Sequence, residues 1–72
     1  MKIHLQGHGK QEAKFAENIK IGDVLMWNYG ATSKVINIIS ETPKYITLGI
    51  QEESGNIYER RLKKDRLVAF VP

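Results

Sequence analysis

Five cations crowd one short stretch of this chain: Arg60, Arg61, Lys63, Lys64 and Arg66, opposed only by Asp65. The window carries +4, more than the +3 of the whole chain, so the remainder is close to neutral. A concentrated positive field of this kind attracts phosphate-bearing or acidic partners and speeds their association. Aromatic rings stand near it in sequence. Tyr58 lies two residues before Arg60, and Tyr45 opens a neighbouring apolar run. Trp27 and Tyr29 alternate across one residue, which sets both on one face if their strand continues that far. Bases stack on rings while Lys and Arg follow phosphates, so the combination suits single-stranded nucleic acid. It suits an acidic or proline-bearing peptide as well. The candidate nucleic-acid contacts are Arg60, Arg61, Lys63, Lys64, Arg66, Tyr29 and Tyr58. The plainer alternative is that these charges solvate a strand edge and discourage edge-to-edge pairing. Strand alternation also points Arg60 and Arg61 to opposite faces, which argues against a single cationic surface.

Other chemistries are poorly supplied. With no cysteine there is no disulfide, thiolate metal site or thiol nucleophile. His4 and His8 are the only imidazoles. Their spacing would align two zinc ligands on a helix, but Gly7 and Gly9 oppose a helix there, and on a strand four residues span roughly 13 Å. Gly7-His8-Gly9 lacks the later glycine and the Lys-Ser/Thr pair of a phosphate loop. Glu52 and Glu53 precede a turn, and Asp23 sits at a strand entrance, where a carboxylate bonds local backbone amides. The expectation is a protein that is not an enzyme and needs no cofactor or metal.

The elements that must position the cations read as short strands. Val24 to Trp27 follows Gly22-Asp23 and ends in Asn28-Tyr29-Gly30, a turn sequence. Lys34 to Ile39 is β-branched and stops before Pro43. Tyr45 to Ile50 alternates cleanly, with Ile46, Leu48 and Ile50 on one face. Glu52 to Asn56 is a hairpin loop, Ile57 to Leu62 the returning strand, and Lys63 to Arg66 one tight turn before Leu67 to Val71. Five strands with connections of a few residues predict a small antiparallel barrel. Its core candidates are Val24, Met26, Val35, Ile38, Ile46, Leu48, Ile50, Leu67 and Phe70. Residues 1–18 form an N-terminal extension in which Lys2 to Leu5 suits a short strand and Lys10 to Asn18 a short helix facing the core with Ala13, Ala16 and Phe15. At 72 residues the chain is one domain with a thin core. No apolar run approaches the ~18 residues of a membrane span, and no signal peptide is visible, so a cytoplasmic location is expected.

Ile19-Lys20-Ile21-Gly22-Asp23-Val24-Leu25-Met26-Trp27-Asn28-Tyr29-Gly30-Ala31-Thr32-Ser33, with Tyr58-Glu59-Arg60-Arg61-Leu62-Lys63-Lys64-Asp65-Arg66-Leu67-Val68-Ala69, resembles a family of small uncharacterised proteins from phages and prophages of Gram-positive bacteria. The Gly-Asp entrance, the late Gly-containing hairpin and the tight turn before the last strand are also similar to SH3-like barrels. The likeness covers residues 19–70. It implies a five-stranded, all-β, SH3-like domain over residues 19–72 and a phage-encoded accessory role, with no residue-level mechanism. The acidic loop of peptide-binding SH3 domains is missing, which argues against proline-rich ligands. Two functions are therefore expected: nucleic-acid binding through residues 60–66, or a protein-interaction or oligomerisation module, self-association included.

Overall fold

A computed structural model describes all 72 residues. The chain is all-β: β1 (Lys2–Leu5), β2 (Gly9–Phe15), β3 (Val24–Met26), β4 (Thr32–Glu41), β5 (Tyr45–Glu52), β6 (Ile57–Lys63) and β7 (Leu67–Phe70). They form one antiparallel sheet in the order β1-β2-β7-β3-β4-β5-β6. The sheet has seven strands where five were expected, and it is not closed: β1 and β6 each have a partner on one side only. No helix is long and apolar enough to cross a membrane.

The two extra strands come from residues 1–18. The helix expected over Lys10 to Asn18 is a strand up to Phe15, followed by a 3-10 turn at Ala16–Asn18. So short a segment has little helical stability of its own. As a strand it gains two neighbours at once: Gln11 pairs with Ile3 on one side, and Ala13 pairs with Ala69 on the other. Ala13 and Ala16 are buried as expected, whereas Phe15 is half-buried. The tight turn between Lys63 and Arg66 is present, closed by the Arg66 N–H donating to the Lys63 carbonyl at 3.1 Å.

Cross-strand partners fix which residues face the core. Leu25 is opposite Ser33 and Phe70, Val35 opposite Ile50, Ile46 opposite Leu62, and Leu48 opposite Arg60. The central cluster is Ala16, Ile19, Leu25, Val35, Ile46, Leu48, Ile50, Leu62 and Val68, with Trp27, Ile38 and Phe70 packed against it. Val24 and Met26 are therefore not the inward pair of β3. Leu25, 0% exposed, takes that place, and its two neighbours are half-buried on the other side. In a two-residue repeat, an error of one position inverts the whole strand. Leu67 is likewise half-buried, displaced from the core by Val68.

Strand β4 carries two irregularities, between Val35 and Asn37 and between Ile38 and Ser40. Each leaves one residue without a partner, so Ile36 and Ile39 reach the surface, and such bulges bend a strand and increase its twist.

Asp23 secures the entrance to β3. Its carboxylate accepts from the Lys20 backbone N–H at 2.8 Å and pairs with Lys14 Nζ at 2.6 Å. Burial pushes its pKa up, but the hydrogen bonds from Lys14 and Lys20 and their charges outweigh this and hold it below the usual carboxylate value. A depressed folded pKa means stability that is complete above the unfolded pKa and is lost as pH falls through the folded one. D23N removes the charge while keeping the shape. It is expected to lower stability at neutral pH by about 1–2 kcal/mol. It should also flatten the acid limb below about pH 4. Urea unfolding between pH 2 and 7 measures both effects.

Candidate nucleic-acid interface

The cationic window is divided by the sheet. On β6 the side chains of Tyr58, Arg60 and Leu62 share the core-side face, since they oppose Ile50, Leu48 and Ile46. Ile57, Glu59, Arg61 and Lys63 lie on the other face. Leu62 is covered by the core, while Arg60 and Tyr58 project beyond it and stay exposed.

Trp27 is what the core-side cations stand on. It continues the inward parity of Leu25, is half-buried, and its Nε1–H donates to the Ser33 hydroxyl at 3.1 Å. That bond fixes the indole from below, because Ser33 is itself buried. The Arg60 guanidinium lies 4.2 Å from the indole centroid and that of Arg66 5.9 Å, both within cation–π range. Burial against the ring, and then the nearby charge of Arg66, lower the Arg60 pKa from its ordinary value. Two like charges thus share one ring, and a bound anion would relieve their repulsion.

The pairing of β3 with β7 covers only Leu25↔Phe70 and Met26↔Ala69. Beyond it the strands diverge, and Trp27 and Asn28 on one side and Arg66, Leu67 and Val68 on the other line a cavity of about 240 Å³. Ile3 and Leu5 contribute an apolar wall and Arg60 a charged one. A second cavity of about 200 Å³ continues past Arg60 between Trp27 and Tyr58, where Glu52 and Glu59 also stand.

The ion pairs of the chain are Met1 and Lys2 with Glu12, Lys14 with Asp23, and Lys64 with Glu41 at 2.7 Å. Arg60, Arg61, Lys63 and Arg66 have no carboxylate within pairing distance, so their charge is not neutralised internally. Lys64 is different: its Nζ is bound to Glu41 and its N–H donates to the Lys44 carbonyl, which makes it a brace for the turn. Arg61 lies over the Tyr45 ring at 3.8 Å on the far face. Tyr29 belongs with neither group. It is 70% exposed, its backbone N–H donates to the Gln6 carbonyl, and its φ is 65°. Its ring lies where a side chain on Gly7 would project, and Gly7 itself has a φ of +73°. Tyr29 thus closes over the β1–β2 turn.

Of the seven expected contacts, the structure joins Arg60, Arg66 and Tyr58 on one face, puts Arg61 and Lys63 on the other, ties Lys64 to Glu41, and assigns Tyr29 to the β1–β2 turn. Trp27, the ring at the centre, is not among those seven, and it packs against the core cluster as well. Its parity with Leu25 was the signal that it faces the same way as Arg60, but only the pairing of β6 with β5 reveals that the two meet. No three His, Asp or Glu side chains gather as a metal site. Comparison with protein-family models, with curated proteins and with solved structures finds no match.

Proposed function

We propose that this chain is a non-enzymatic binding module, an accessory protein of the phage and prophage type it resembles, that holds nucleic acid on the face made by Trp27, Arg60, Arg66 and Tyr58. The observation that carries this reading is the pair of unneutralised arginines on one indole. Stacking occupies the flat face of a guanidinium and leaves its N–H edge free for a phosphate. Tyr58, nearly half exposed beside Arg60, supplies a ring for a base. The strand order β7-β3-β4-β5-β6 supports an SH3-like arrangement of the last five strands, with β2 and β1 added beyond β7.

The direct test is a titration of fluorescent single-stranded and duplex oligonucleotides over a salt series. Phosphate contacts make log affinity fall linearly with log salt, with a slope of about −0.7 per contact for single strands. Binding that shows no salt dependence, or none at low salt, removes the proposal. Polyglutamate as a competitor examines the acidic-protein alternative: displacement at matched charge would favour it over nucleic acid.

A further inference from the structure

We infer that the partner is a single nucleic-acid strand that crosses the free edge of β6 and is gripped on both faces of the sheet. This rests on the nucleic-acid reading above and narrows it to flexible, unpaired strands. The argument begins with two consecutive residues. Arg60 and Arg61 point to opposite faces, yet each is stacked on a ring, Arg60 on Trp27 at 4.2 Å and Arg61 on Tyr45 at 3.8 Å. Neither has a carboxylate partner. A solvating arginine samples many rotamers, whereas contact with a ring restrains the guanidinium, so less freedom is lost when a phosphate binds.

Each arginine has its own surroundings. On the core side stand Arg66 and Tyr58. Beside the Tyr45 ring under Arg61, an open depression of about 520 Å³ is lined by Lys44, Tyr45, Lys63 and Lys64 together with Glu17 and Asp65, and Arg61 stands outside that lining. The two sites flank one strand, and that strand is the sheet edge, paired with β5 alone. No further strand pairs with β6 on its free side, and the Ala16–Asn18 turn is the other element that packs against it. A duplex, stiff over about 150 base pairs, cannot fold around such an edge. A single strand can, and would carry phosphates to both arginines.

The experiment uses the full chain, labelled oligothymidylates of about 4 and about 12 nucleotides, within the range of known single-strand site sizes, and a hairpin duplex. R60A/R66A and R61A/K63A each remove two cations from one face. Each double variant is expected to reduce the salt slope on the longer strand by about 1.4, two contacts at about 0.7 each. On the short strand only one of the two should matter, and the duplex should bind at least tenfold more weakly than the long strand. If R61A/K63A leaves affinity and slope unchanged while R60A/R66A lowers both, the strand stays on one face and the inference is overturned, with the proposed interface intact. Duplex binding equal to that of the single strand overturns it too. Absence of binding to every oligonucleotide removes the proposed function itself. Should R61A/K63A unfold, R61Q tests the same contact with half the change in slope.

Discussion

The double variant R60E/R66E is expected to lose binding to single-stranded oligonucleotides by more than about 100-fold at 0.1 M salt, from two charge-assisted contacts of roughly 1.5–3 kcal/mol each. Reversal adds repulsion to that loss, because both side chains face one indole and would bring two anions to the place meant for a phosphate. The fold should survive. Both residues are exposed, neither forms an ion pair, and a cation–π contact at such a site is worth about 0.5–1 kcal/mol. Fluorescence anisotropy with a labelled oligonucleotide, beside a thermal melt of the same sample, separates the two effects. Single reversals should each produce an intermediate loss. Wild-type affinity in the double variant would remove these arginines from the interface.

The second large effect concerns the core. Leu25 is fully buried and contacts the central cluster from β3, so L25A should cost about 2–5 kcal/mol, the transfer of the lost methylenes plus the cavity left behind. A domain of this size has roughly 4–11 kcal/mol in total, at about 0.05–0.15 kcal/mol per residue, so the variant would lose a large part of its stability. M26A, one position along and on the other face, should cost about 1 kcal/mol, the ordinary value for a substitution without a large cavity. Denaturant unfolding of the two variants side by side checks the parity of β3. Equal costs, or a larger one for M26A, would mean that the strand faces the other way.

That contrast marks where the sequence was readable. Strands β4 to β7 are legible because Pro43, the Glu52 to Asn56 loop and the Lys63 to Arg66 turn bound them, and because β5 alternates cleanly. Strand β3 has an apolar residue at every position from Val24 to Trp27, so no alternation reveals its inward side. Only its pairing with Ser33 and Phe70 decides it. The short strand expected over Lys2 to Leu5 is β1, but the second strand was harder: β2 is mostly polar and becomes a strand because Ala13 sits against Ala69, far along the chain. The site follows the same pattern. The cationic window was visible as composition, and its division between faces followed from alternation. The meeting of Trp27 with Arg60 depended on the course of four strands, β3 to β6, and so on the bulges that bend β4.

Trp27 is the only tryptophan, so its emission reports on the proposed interface alone. Titrating single-stranded oligonucleotide into the protein at low salt should change that emission saturably. The change should reverse as salt is added and should be absent from R60E/R66E. Binding seen by anisotropy with no change at Trp27, or the same change in R60E/R66E, would contradict the account.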